Sequence, residues 1–420
     1  MKKMMLLLFL SAGTLLADAK PLQTLSLDSC YHWAIQNYPL IKRAVLLRQA
    51  DQYSLANIQI GNYPQLTALA QATYQSEVTR ISFPGVNIEP LSKDQYRMAA
   101  EVSQVIYDGG SYSAQKKIQD ASYVLATAGL QKDLYQIREK INQLFFGILL
   151  LQKQLEQNQL LITQLQETMD RVKASVQNGV AYQSDADQLA AEILLQTQKK
   201  NEIEAGIDAY RQMLGAFIGK KINSSDTLQM PVNPGITAAS PNQRPELQLF
   251  QAQRSLYDNQ LTLLNTRLKP RISAFVQGGY GRPGLNQLKN QFTGFYIGGV
   301  KMSWSINAFF TNKNEKSLIG IQQKETDIQK ETFLFTNQLN LLQQESETQK
   351  TNRLMQTDHE IIRLKEKICA ASKVKYENGV ITLNDYLKEI TAVNQANLNL
   401  ALHAIQQIAN EYNTAQTLGY

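Results

Sequence analysis

Three histidines, His32, His359 and His403, lie far apart in a chain of 420 residues, too few and too scattered for a zinc site. No HExxH-type pair occurs. Gly278-Gly279-Tyr280-Gly281 is glycine-rich, but its surroundings read as strand and turn. Neither a following helix nor a Lys-Ser/Thr pair is present, so it is no phosphate loop. Ser103, Ser303 and the serines near Asn178 have no histidine at a spacing that would make a nucleophile. Trp33 beside His32 reads as packing in an N-terminal helix. Cys30 and Cys369 are too distant in sequence to suggest a disulfide framework and read as small apolar residues in helices. No catalytic residue, cofactor site or metal site is expected, and the chain does not read as an enzyme.

The composition points to long elements. Glutamine is abundant at 48 residues, while Gly (22) and Pro (11) are sparse, a mixture that suits long polar helices. Mean hydropathy is −0.31, and the longest obvious apolar run after the N-terminus is Phe145 to Leu151. That is far short of the ~18 residues of a spanning helix, which excludes a polytopic helical membrane protein. Lys+Arg (42) exceed Asp+Glu (36) by only six, without a basic block, so no nucleic-acid partner is expected. Lys2 and Lys3, the apolar stretch Met4 to Leu16, and Ala17-Asp18-Ala19 follow the order of a secretory signal peptide over 1–19.

The elements come in two copies. Pro39, Pro64 and Tyr74 recur as Pro245, Pro270 and Tyr280, each 206 residues on, and Asn178-Gly179-Val180 recurs 200 residues on as Asn378-Gly379-Val380. The first copy is assigned to 20–219, with strands about 64–75 and 95–107 and a helical hairpin over 109–217. A linker covers 220–244, and the second copy covers 245–420, with strands about 270–280 and 292–307 and a hairpin over 309–415. A short helix precedes each strand pair and is ended by Pro64 or Pro270, which lack the N–H that continuation needs.

Within the strands, residues alternate. Leu66, Ala68, Ala70, Ala72 and Tyr74 share one face against Gln65, Thr67, Gln71 and Thr73. Tyr96, Met98, Ala100 and Val102 oppose Gln95, Arg97, Glu101 and Ser103. Ile272, Ala274, Val276, Tyr280, Tyr296, Val300 and Met302 repeat the pattern in the second copy. Period-2 alternation over ~10 residues fits barrel strands with an apolar outside and a polar inside. It also fits a soluble sheet whose apolar face meets a core.

The following helices differ in kind. From Leu130 through Leu134, Ile137, Ile141, Leu144, Ile148, Leu151 and Leu155 to Ile162, Leu165, Met169, Val172 and Val176, apolar steps alternate between three and four. This is a heptad seam, and a continuous helix from 109 to 176 would reach roughly 100 Å at ~1.5 Å per residue. A weaker seam, Ile328, Phe335, Leu339, Leu342, Leu354, Ile361, Leu364 and Ile368, marks the second copy. Asn-Gly ends both helices with residue types that tolerate a left-handed backbone. Four strands cannot close a membrane barrel, whose smallest members have about eight, so membrane residence requires pooled chains. Two readings remain: an outer-membrane duct, or a periplasmic coiled-coil adaptor or scaffold with a soluble β-domain.

Asn37-Tyr-Pro-Leu40, Val102-Ser-Gln-Val-Ile-Tyr-Asp-Gly-Gly110, Met302-Ser-Trp-Ser-Ile-Asn307 and the twin Asn-Gly-Val tips together resemble the TolC-like outer-membrane efflux family. The resemblance covers essentially the whole mature chain. It implies a mainly α protein with a membrane β-barrel, built from two tandem repeats of helix, β-hairpin, long helix and helix. It further implies a homotrimer whose three sets of four strands form a twelve-stranded barrel, continued by an α-helical periplasmic tunnel. Such a duct sits in the outer membrane, in contact with its lipid. It docks on a periplasmic adaptor (membrane fusion protein) and an inner-membrane pump of a tripartite efflux or type I secretion system. By the same resemblance Asp385 and Lys388, with Asp185 in the other copy, are candidate tip-gate and selectivity residues. Lys388 stands where the family is often acidic. Asn178, Gly179, Val180, Asn378, Gly379 and Val380 are candidate adaptor contacts. Tyr74, Tyr96, Tyr280 and Tyr296 are candidate membrane-interface aromatics.

Overall fold

A computed structural model describes residues 24–79, 85 and 90–420, so the expected signal peptide lies outside the described residues. The chain is mainly helical. A short strand and a helix open it, β1 (Thr24–Leu25) and α1 (Leu27–Asn37), followed by a 3-10 turn and α2 (Lys42–Ile60). Then come β2 (Gln65–Tyr74), β3 (Asp94–Tyr107), α3 (Ser111–Tyr135), α4 (Ile137–Gln177) and α5 (Gln183–Ile218). The second half holds β4 (Thr227–Leu228), α6 (Pro245–Thr266), β5 (Arg271–Arg282), β6 (Thr293–Ser303), α7 (Asn307–Glu377) and α8 (Leu383–Leu418). No described helix is long and apolar enough to cross a membrane.

Contacts divide the chain into two units. One gathers the described residues through Ala34, Ile141–Val232 and Leu354–Ile408. Its core uses the heptad seam of α4: Ile141, Leu144, Ile148, Leu165, Met169 and Val172 are buried, together with Leu189, Ile207 and Leu214 of α5 and Leu387, Ile390 and Ile405 of α8. Gly147 lets α4 and α5 come close, since a Cβ there would fall 2.5 Å from the Tyr210 ring. The stretch expected as a linker contributes structure here, because β4 pairs in parallel with β1. Cys30 of α1 is fully enclosed, and burial raises its thiol pKa to about 11.

The other unit, Ile35–Lys140, Asn233–Arg353 and Ala409–Tyr420, carries the main sheet. Its strand order is β2-β3-β5-β6, antiparallel throughout, so the two hairpins join through β3 and β5. Leu66 faces Val102, which faces Val276; Ala70 faces Met98, which faces Tyr280. Helix α3 packs on α2 and α6. Ala114, Ala121 and Ala128, spaced by seven on α3, are buried, which allows close helix approach.

Several boundaries depart from the expectations. Helix α3 begins at Ser111 rather than 109, because Gly109 and Gly110 take φ of 71° and 91° and turn the chain off the sheet. Only glycine fits the first of these: a Cβ at Gly109 would lie 2.8 Å from Lys269 Cβ. The backbone N–H groups of Gly110 and Tyr112 then donate to the Asp108 carboxylate at 2.8 and 2.5 Å. The long helix of the first half is not continuous but breaks at Gln136. The break sits beside Tyr135, whose hydroxyl donates to the C-terminal carbonyls of Gln416 and Tyr420 at 2.9 and 3.1 Å. In the second half β6 stops at Ser303 rather than 307. Trp304 there turns its indole N–H to Leu268 O at 3.0 Å, and Ala308 and Phe309 begin helical hydrogen bonds to Ser305 and Ile306.

The fully enclosed Leu165 tests the α4 seam. Leu165→Ala should cost about 2–5 kcal/mol, as buried leucine truncations do, and lower the thermal midpoint followed by circular dichroism. An unchanged midpoint would exclude the seam as the source of stability.

Candidate functional site

The Asn-Gly turns are built alike. Gly179 N–H donates to Val176 O at 3.0 Å and Val180 N–H to Ser175 O at 2.8 Å. Gly379 N–H donates to Tyr376 O at 2.9 Å and Val380 N–H to Lys375 O at 2.8 Å. Both are Schellman caps, with the glycines at φ of 71° and 72°. The apolar residue that follows each glycine is left in the open: Val180 is 82% and Val380 69% exposed.

The next helices start on capping boxes. In α8 the Thr382 hydroxyl donates to the Asp385 carboxylate at 2.7 Å and accepts from Asp385 N–H at 3.2 Å. That hydroxyl bond is the main cause holding the Asp385 carboxyl below the usual carboxylate range. Asp185 takes the same place in α5, accepting the Tyr182 N–H at 3.4 Å. Lys388 lies 3.8 Å from Asp385, one turn on, and the pair is exposed. Asp385 and Lys388 are thus brought together, and both aspartates serve as helix caps.

Sequence reasoning missed what couples the two hairpins. Leu161, Leu165, Met169, Val172, Ala186 and Leu189 of the first close on Leu383, Tyr386, Leu387 and Ile390 of the second. Tyr376 stacks on Tyr386 with ring centroids 5.5 Å apart. Arg171 reaches Glu377 at 4.0 Å, and the Gln188 amide donates to Asn384 Oδ1 at 3.3 Å. A cavity of about 610 Å³ opens beside these groups, lined by Arg171, Tyr182, Asp185, Tyr376, Glu377 and Tyr386. Periodicity marks an apolar stripe but not its partner, so the Arg171–Glu377 link carried no local signal. The Tyr376/Tyr386 pair, flanking one turn, did.

The sheet is the second candidate surface. Its even-numbered face is uncovered: Leu66 is 74%, Met98 69% and Tyr296 82% exposed, and Tyr74, Val276, Val300 and Met302 are exposed with them. Of the four tyrosines, Tyr96 and Tyr280 are brought together through Phe292, at centroid distances of 6.2 and 5.8 Å, while Tyr74 and Tyr296 stand elsewhere on that face. The odd-numbered face is polar, with Thr67, Gln71, Arg97, Glu101, Gln277 and Lys301, but it also carries Phe275, Phe295 and Ile297. No group of metal-binding side chains occurs among the described residues.

This arrangement of helices and sheet is shared with outer-membrane channels of known structure. The outer membrane protein VceC of Vibrio cholerae is 14% identical, with a TM-score of 0.69 and coverage of 94% of this chain and 96% of that one. The CmeC outer membrane channel of Campylobacter jejuni is 15% identical, with a TM-score of 0.64 and coverage of 94% and 86%. The open-state MtrE outer membrane channel of Neisseria gonorrhoeae is 14% identical, with a TM-score of 0.66 and coverage of 94% and 88%. At such identities the likeness establishes the fold. Residues 30–219 match the model of the outer membrane efflux protein family, in keeping with the resemblance read from the sequence. No curated protein matches the chain.

The Asp385 cap predicts a pH dependence. Its folded-state pKa is lowered, so its stabilisation is present above the ordinary carboxylate range and is lost as pH falls through the lowered value. Asp385→Asn should lower the thermal midpoint near neutral pH, and the two proteins should converge on acidification. A difference that persisted in acid would exclude the carboxylate as the cause.

Proposed function

We propose that the protein is the passive exit duct of a tripartite efflux or type I secretion system, carrying cargo from an inner-membrane pump across periplasm and outer membrane. The observation that carries this reading is the uncovered apolar face of the sheet. In a soluble β-domain that face would meet a core; here large side chains on it are exposed. The outer edges of β2 and β6 are unpaired among the described residues. Lipid offers their backbone groups no partners, at a cost of several kcal/mol for each, so the sheet must close with other copies. Three copies supply twelve strands.

A second exposed feature supports association of copies. Ile321, Ile328, Phe335 and Leu342 of α7, spaced by seven, are 59%, 62%, 65% and 54% exposed. A heptad stripe of this kind is a coiled-coil surface without its partner. The neighbouring copy is the partner proposed, giving a homotrimer with a helical tunnel. Val180 and Val380, with Asn178, Gly179, Asn378 and Gly379, form the surface offered to a periplasmic adaptor. Asp385, Lys388 and Asp185 line the gate, and Tyr74, Tyr96, Tyr280 and Tyr296 sit at the lipid interface.

Opening by movement of the tip helices has to overcome unequal contacts. The Arg171–Glu377 pair is half exposed, and such pairs are worth about 0.2–1 kcal/mol. Each buried leucine or tyrosine of the coupling cluster is worth more. The apolar cluster, rather than the ion pair, holds the hairpins together.

Three measurements test the reading. Purified protein should be trimeric by light scattering in detergent, and Ile328→Glu combined with Phe335→Glu should leave monomers. In planar bilayers the native trimer should conduct; a water-soluble, non-conducting product would refute the duct. Tyr386→Ala should raise conductance more than Arg171→Ala, whose effect should stay within about fivefold. Asp385→Asn should relieve cation block of the pore, and unchanged block would remove Asp385 from the gate.

A further inference from the structure

The odd-numbered face of the sheet carries a charge imbalance. Arg97, Arg271 and Lys301 stand on it against one carboxylate, Glu101. None of the three cations has a carboxylate partner among the described residues. Arg97 is held in place without being neutralised. One guanidinium N–H donates to Gln277 Oε1 at 3.1 Å, and the guanidinium carbon lies 4.7 Å from the centroid of the Phe295 ring. The Gln277 amide in turn donates to Glu101 at 3.3 Å, so an amide separates the two charges. Arg282 differs, because its guanidinium is paired with Asp94.

The setting of Phe295 is built. Gly279 lies beneath the ring, and a Cβ there would come within 2.5 Å of Phe295 Cζ. The ring can therefore lie flat on the sheet and support the guanidinium. Beside them is a cavity of about 190 Å³, lined by Arg97, Phe295, Gln71, Gln95, Thr73 and, from the β5–β6 loop, Gln287. A cavity below the ~300 Å³ of drug-sized pockets, holding one uncompensated planar cation, an aromatic ring and several amides, fits a small carboxylate with an apolar body.

We propose that this cavity is a binding site for small organic carboxylates on the luminal face of the barrel, with Arg97 as the anion-recognising residue. The site rests on the duct reading for its luminal position but not for its ability to bind. The guanidinium supplies paired N–H donors to the carboxylate, the glutamine amides complete its hydrogen bonds, and Phe295 fixes the guanidinium plane. Arg271 and Lys301 raise the local concentration of anions along the same face.

Benzoate is the probe, with benzylamine as its cationic counterpart. In planar bilayers benzoate should block the native channel, benzylamine should not at equal concentration, and Arg97→Gln should weaken benzoate block roughly tenfold or more. Arg97→Lys should keep part of the block, since it retains charge without the planar donor pair. Equal block by both probes, or block unchanged in Arg97→Gln, would overturn the site while leaving the duct intact. If no conductance is seen, the duct reading fails by itself. Saturation-transfer NMR of benzoate with the detergent-solubilised full chain still decides the site: a signal lost in Arg97→Gln supports it, and none in the native protein refutes it.

Discussion

The four-stranded sheet leaves both outer edges open among the described residues, and the proposed assembly turns on that constraint. Among the described residues, strands β2 and β6 end the order β2-β3-β5-β6 with unpaired outer edges, and one face of all four strands is apolar and uncovered. Water satisfies open edges but penalises the face; lipid accepts the face but penalises the edges. The closure proposed above, with strands of other copies, would satisfy both. Under that proposal the same logic reaches the helices, because closure would bring other copies of α7 near, and α7 carries the exposed heptad stripe that such neighbours would cover.

How far this was legible depended on where each residue's partner lies. The α4 seam was legible because its partners, such as Leu189 of α5 and Ile390 of α8, are in the same chain and bury it. The α7 seam was legible as apolar, but its residues remain exposed, since periodicity reports that a face seeks a partner without saying which. Alternation marked both sheet faces, yet Phe275 and Phe295 stand on the polar one. Phe295 breaks the pattern because it packs on Gly279 and Arg97, contacts that run across strands and leave no trace in local spacing. Arg171 and Glu377, more than two hundred positions apart, were equally silent.

The turn residues were the most legible of all, because their demands are local. A Schellman cap needs a left-handed residue and a capping box needs an acceptor three residues into the helix; Asn178-Gly179 and Asp185 meet both, as do Asn378-Gly379 and Asp385. That legibility has a cost for functional inference. Asp385 would be favoured at its place for capping alone, so its presence says less about a gate than the unforced Lys388 beside it, which no cap requires.

Duplication sharpened by divergence accounts for what remains. The first copy turns from strand to helix on Gly109 and Gly110, with Asp108 capping the helix; the second does so through Trp304, Ser305 and Ile306, with Trp304 bridging back to Leu268, and Phe309 and Phe310, both exposed, already lie in α7. The first copy's long helix is buried along its seam and broken at Gln136, while the second's runs unbroken from Asn307 to Glu377 with its stripe outward. Two equal copies would each have to serve as core and as contact surface. In the proposed assembly, separating the tasks lets the first copy stabilise the chain and leaves the second free to present apolar side chains to a neighbour. A mean hydropathy of −0.31 is compatible with this, because the surfaces that leave water are alternate residues of short strands and every third or fourth residue of one helix.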